Sequence, residues 1–144
     1  MQRKMTDELL KQLRNINSTG ELLKYTEELA EQENWKSFSE YVTTLLCEKG
    51  FSESEVIRNS QIPRTYAYQI FSGQKSPGRD KVIALCLAIQ MNYEEVQRAL
   101  TLAGLGKLYP RRKRDSILIF AIEHKISVQQ VNELLFEEEE EILK

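Results

Sequence analysis

The sequence predicts an all-α chain, and three observations carry that reading. Paired capping residues recur at the spacing that satisfies the orphan amides of a helix start: Ser18 with Glu21, Ser37 with Glu40, Ser52 with Glu55, Asn92 with Glu95, and Ser127 with Gln130. Apolar residues after the caps follow the helical period, as in Phe38, Tyr41, Val42, Leu45 and Leu46. Gly50, Gly73 and Gly104 fall where these stretches end.

In chain order, a first short helix is expected from Thr6 to Arg14 and a second from Thr19 to about Gln32. The next opens at Ser37 and ends at Gly50. A fourth starts at Ser52, with Val56 beginning its apolar face. Pro63 suits the first turn of a fifth helix, which has no amide to donate, while Ala67 and Ile70 face inward and Gly73 ends it. Only Ser60 to Pro63 are left for the turn between these two helices. They therefore cannot lie antiparallel and must cross steeply, as in a helix-turn-helix unit. Asp80 to Gln90 carries Val82, Ile83, Leu85, Cys86, Leu87 and Ile89, apolar enough to be the centre of a core. Asn92 and Glu95 cap a helix reaching about Ala103.

Beyond the connector Gly104 to Pro110, helices are expected from Arg111 to His124 and from Ser127 to about Leu143. The run Ile117 to Ile122 is apolar on every side and rich in β-branched residues, so a strand is the alternative, but the whole stretch is longer than a typical buried strand. LLCEKGFSESEV and FAIEHKISVQQV share one layout at an offset of 75 residues. Either two helices are repeated, or two amphipathic hairpins are alike by chance. The organisation is thus an N-terminal helical extension over 1–36, a five-helix domain over 37–103, and a C-terminal helical hairpin with an acidic tail over 104–144.

Residues 52–77, SESEVIRNSQIPRTYAYQIFSGQKSP, carry the functional signal. Ser52 opens a helix, Ile62-Pro63 closes the turn, Arg64 to Ser72 form the second helix, and Gly73-Gln74-Lys75-Ser76-Pro77 follows it. In these features the chain resembles the Cro-and-repressor helix-turn-helix family of bacterial and phage transcription regulators, over Ser37 to about Leu100. The resemblance implies a repressor-like domain whose second helix lies in the major groove of double-stranded DNA. It places Arg64, Thr65, Tyr68 and Gln69 facing the bases, and Ser52, Lys75, Arg79 and Lys81 at phosphates. Arg and Gln match guanine and adenine edges, and a threonine methyl can meet a thymine methyl. An ordinary solvated helix face also carries such residues. Three departures stand out: Glu53 where many relatives have glutamine, Gln61 at the family's turn glycine, and Ile57 where a small residue lets the helices approach.

The net charge of −2 hides a division. Residues 1–50 hold seven basic and nine acidic side chains, 51–125 twelve and seven, and 126–144 one and six, or −2, +5 and −5. Positive charge thus follows the helix-turn-helix, as it would if one face meets phosphates. Arg111, Arg112, Lys113 and Arg114 stand at a helix start, where the macrodipole disfavours cations, so a contact with the DNA backbone or an acidic partner is expected of them. Glu137 to Glu141 is expected to be a solvated helix end, or a shield for the basic face.

No apolar run reaches the ~18 residues of a membrane span. The opening MQRKMTDELLKQ is charged and does not read as a secretion signal, which implies a cytoplasmic protein. Cys47 and Cys86 read as reduced core residues. With one histidine, His124, no metal site is expected, and no cofactor either. No catalytic group is expected, since nothing supplies a nucleophile with its base, and Gly104 to Lys107 lacks the spacing of a phosphate loop. The apolar run at 117–122 must be covered by its own domain, a second copy or another protein, and the expectation is a homodimer formed through the hairpin. The sequence thus points to a sequence-specific DNA-binding regulator. The alternative is a protein-interaction adaptor on the same scaffold, favoured by Glu53, the low net charge and the added hairpin.

Overall fold

The computed structural model describes residues 6–33 and 37–144, with side chains over 7–27 and 37–144. Met1 to Met5 of the charged opening, and the expected boundary at residue 36, lie outside the described residues. All described regular structure is helical: α1 (Thr6–Arg14), α2 (Thr19–Glu33), α3 (Phe38–Glu48), α4 (Glu53–Ser60), α5 (Arg64–Phe71), α6 (Arg79–Ile89), α7 (Tyr93–Leu102), α8 (Lys113–Glu123) and α9 (Val128–Glu137). None of these helices is long and apolar enough to cross a membrane. The chain forms two compact units, Met1–Trp35 and Lys36–Lys144.

The first unit holds α1 and α2. Ser18 Oγ accepts the Glu21 amide at 3.1 Å, and the Glu21 carboxylate accepts the Asn17 amide at 3.2 Å, which fixes the start of α2. No described side chain of this unit is buried.

The second unit packs α3 to α9 around one core, with every residue from Val82 to Ile89 of α6 buried at its centre. Complete capping boxes open α4 (Ser52, Glu55), α7 (Asn92, Glu95) and α9 (Ser127, Gln130). Ser37 accepts the Glu40 amide at the start of α3. Pro63 stands one position earlier than expected, as the residue that caps α5. Its carbonyl accepts the Ala67 amide at 2.9 Å.

The likeness at an offset of 75 residues has a local cause. α3 stops at Gly50 (φ +81), and the Phe51 amide returns to the Leu46 carbonyl at 2.9 Å. α8 stops the same way at Lys125 (φ 55), with Ile126 returning to Ala121 at 3.0 Å. But α6 does it too, at Gln90 (φ 59), with Met91 returning to Cys86 at 3.1 Å. In each case a left-handed residue ends a helix, an apolar residue follows, and a capped helix begins. One connector solution used three times accounts for the similarity without a repeated domain.

The C-terminal hairpin belongs to the same core. The stretch around Ile117 to Ile122 is helix, not strand, and its Leu118, Ala121 and Ile122 are buried with Leu108, Val128, Val131 and Leu135. The inner side of the run is thus covered within its own unit, whereas Phe120 stays 48 % exposed, so the expected homodimer through the hairpin has only that outer side to rest on, and the division at residue 103 marks no gap in packing. α9 also ends earlier than expected, at Glu137, because Glu139 turns left-handed (φ 61) and the Glu140 amide returns to Leu135 at 2.8 Å. The acidic run opens on the exposed end of α9, as expected, and continues as a turn. It folds the tail back so that Leu143 is buried, its amide on Asn132 Oδ1 at 2.8 Å. Cys86 is buried, which pushes its thiol well above the ordinary range, whereas Cys47 is exposed on α3 and is no core residue.

Candidate nucleic-acid interface

The turn between α4 and α5 is built differently from the three connectors. Gln61 takes the left-handed conformation (φ 62) that the family's glycine would adopt without strain. The next amide, of Ile62, does not return directly to the Ile57 carbonyl five residues back. Instead Ser60, 1 % exposed, stands between them: its hydroxyl donates to the Ile57 carbonyl at 2.8 Å and accepts from the Ile62 amide at 3.2 Å. A hydroxyl inserted into the helix-ending bond satisfies both buried groups. Ile57 and Ile62 are buried beside it, so the bulk of Ile57 is accommodated in the core.

Against this turn α5 buries Ala67, Ile70 and Phe71 and packs on α3 and α4. Gly73 (φ +81) ends it; a Cβ there would be strained, and would meet Ser39 Oγ at 3.4 Å. On the opposite side Arg64 and Thr65 are exposed, and Tyr68 and Gln69 are half-buried. Thr65, Tyr68 and Gln69 line one open groove of about 520 Å³ together with Glu53, Phe71, Ser72 and Gln74. The Arg64 guanidinium lies 5.7 Å from the centre of the Tyr68 ring one turn on. Hydrogen bonds from Ser54 and then Arg64 hold the Tyr68 phenol below its ordinary range. The four residues expected to face bases thus share one surface. Glu53 shares it too.

The residues expected at phosphates divide. Lys75 is exposed just past the end of α5. Lys81 is half-buried, its ammonium 5.6 Å from the Tyr66 ring centre. Ser52 directs its amide and its hydroxyl proton to the Glu55 carboxylate, so neither donor points outward. Arg79 turns away altogether. Its guanidinium grips Asp115 with two bonds of 3.0 and 2.9 Å and donates to the Gly106 and Lys107 carbonyls. The expected phosphate role of Arg79 therefore gives way to an internal one.

The reciprocal pair sits beside it. Arg114 holds Asp80 with two bonds of 3.0 Å each and donates to the Glu141 and Ile142 carbonyls of the returning tail. Two neighbouring residues of α6, Arg79 and Asp80, thus clasp two neighbouring residues of α8, Arg114 and Asp115. Burial would raise the Asp115 carboxyl, but the Arg79 guanidinium and the Tyr109 amide outweigh it and hold the group below its ordinary range. Lys113 is tied to Glu138 at 3.5 Å. Of the basic cluster, Arg111 and Arg112 are exposed and make no hydrogen bond to the clasp or to Glu138, although the charge of Arg112 helps hold Asp115 ionised. The sequence did hold a signal for the clasp: the Arg-Asp dipeptide occurs twice, at 79–80 and 114–115, each time in the first turn of a helix and ahead of its apolar stretch. Ser60 carried none beyond its place in the turn. Among protein-family models, curated proteins and solved structures, none matches this chain.

Proposed function

We propose that the protein is a sequence-specific DNA-binding transcriptional regulator that reads the major groove with α5. In this reading α3 to α7 form a five-helix domain of the Cro-and-repressor kind, the partner is double-stranded DNA, and the protein works in the cytoplasm. The observation that carries the proposal is the division of α5. Its inner face is fixed by burial of Ala67, Ile70 and Phe71, while Arg64, Thr65, Tyr68 and Gln69 gather on one outer surface. Arginine and glutamine supply the paired donors and acceptors that distinguish guanine and adenine. Lys75, with Lys81 nearby in sequence, is suited to positioning against the backbone.

A second reading has its own observation. Glu53 lines the groove of Thr65, Tyr68 and Gln69, and Arg79 and Arg114 are consumed internally, so the basic charge of residues 51–125 is less available than the sequence implies. Both facts suit an adaptor that docks another protein on α5. Selection of genomic fragments by the full chain, followed by footprinting, separates the two. Base reading requires a shared motif among bound fragments. Arg64→Ala and Gln69→Ala are each expected to lose on the order of 1–3 kcal/mol on it and to relax one or two base positions, whereas Lys75→Ala weakens binding to all fragments alike. Footprints that neither Arg64→Ala nor Gln69→Ala alters remove the base-reading assignment.

A further inference from the structure

The first unit leaves four leucines in solvent within fourteen residues of chain. Leu10 is 43 % exposed, Leu13 42 %, Leu22 40 % and Leu23 59 %, and no described side chain of α1 or α2 is buried. Leu9 and Leu13 lie one turn apart, and Leu10 beside them, so the leucines of α1 form a stripe along one face. A helix of nine residues is marginal alone in water, and an uncovered leucine stripe marks a surface meant to be covered.

The charges of α1 indicate what covers it. Its first turn carries Asp7 and Glu8 and its last turn Lys11 and Arg14. Two copies of α1 laid antiparallel bring the acidic end of each against the basic end of the other, with the leucines between them. Laid parallel, they would set like charges side by side. Such a surface is self-complementary about a twofold axis, the property that an isologous dimer interface requires.

We propose that the protein dimerises through its N-terminal helices, with α1 of one copy antiparallel to α1 of a second. The association stands independently of DNA binding, but under the reading above it would carry two α5 helices into one assembly, as paired half-sites need.

The test is sedimentation equilibrium of the full chain without DNA, so its outcome does not depend on whether α5 reads bases. The wild-type chain is expected to sediment at twice its 16.8 kDa. Leu10→Glu with Leu13→Glu is expected to halve that mass while the far-ultraviolet circular dichroism of the larger unit persists. Charge variants exclude a mere loss of folding. Asp7→Lys with Glu8→Lys makes α1 wholly basic, Lys11→Glu with Arg14→Glu makes it wholly acidic, and each alone is expected to weaken self-association at least about tenfold. Mixing the two restores the doubled mass. A wild-type chain that is monomeric at tens of micromolar overturns the proposal, as does a dimer untouched by the leucine variant or a mixture that fails to recombine.

Discussion

Arg64 and Arg79 stand fifteen residues apart in one basic stretch, and the structure puts them to opposite uses. Arg79 meets a carboxylate and two carbonyls of its own chain at 2.9 to 3.0 Å, beside an Asp115 that is only 3 % exposed. Arg64 meets solvent and the face of Tyr68. Guanidinium groups look identical in a sequence, yet one holds the fold together and the other is presented outward. A basic segment is evidence for a nucleic-acid surface only after its internal partners have been subtracted. Here the subtraction removes Arg79 and Arg114 and leaves Arg64 and Lys75 beside α5.

The sharpest way to break the clasp is at Asp115. Asp115→Ala leaves a partly buried guanidinium without its carboxylate, and removing one partner of such a pair is expected to cost about 3 kcal/mol, less than a fully buried pair because Arg79 keeps some contact with water. Chemical denaturation measures it; a loss below about 1 kcal/mol would mean that the clasp is ornamental. The same pair sets a pH dependence. The Asp115 carboxyl is depressed in the folded chain, so its ionised form stabilises the fold above the unfolded value of about 4. That contribution disappears as pH falls through the lower folded value. Asp115→Asn should flatten this acid limb of the stability curve.

How much of this was legible depended on range. Caps and helix ends are decided by residues three to five apart, so Ser52 with Glu55 and Asn92 with Glu95 could be read directly. The clasp joins residues 34 to 36 apart, and no local pattern announces which arginine will find which aspartate. The early end of α9 was hidden because Glu139, not glycine, turns left-handed there. The outward face of α5 was legible because the spacing of Ala67 and Ile70 fixes the inner one. Glu53 was noticed as an oddity, but only the structure puts it in the groove with Thr65, Tyr68 and Gln69.

On the other side of the comparison, Ser60 is the part of the α5 presentation most exposed to test. Ser60→Ala strands the Ile62 amide and the Ile57 carbonyl in a buried turn, an expected loss of roughly 1–2 kcal/mol in denaturation; under the proposed DNA-binding reading, a turn that positions α5 predicts a loss of DNA affinity as well. If only stability changes, the turn does not position α5. The smallest expected effect is at Glu53. Glu53→Gln removes a negative charge from the groove and should tighten DNA binding by up to about 1 kcal/mol, with a steeper salt dependence. Unchanged affinity would favour a protein partner at that surface.

The outward use of Arg64 is tested most directly by one titration. Affinity for a selected fragment and for unrelated duplex is measured across salt, with the wild-type chain, Arg64→Ala and Arg111→Ala side by side. Wild type should prefer the selected fragment and lose affinity for both as salt rises. Arg64→Ala should lose most of the preference while keeping much of the binding to unrelated duplex, and Arg111→Ala should keep the preference. Preference untouched in Arg64→Ala, or no salt-dependent binding by the wild-type chain, would contradict the account.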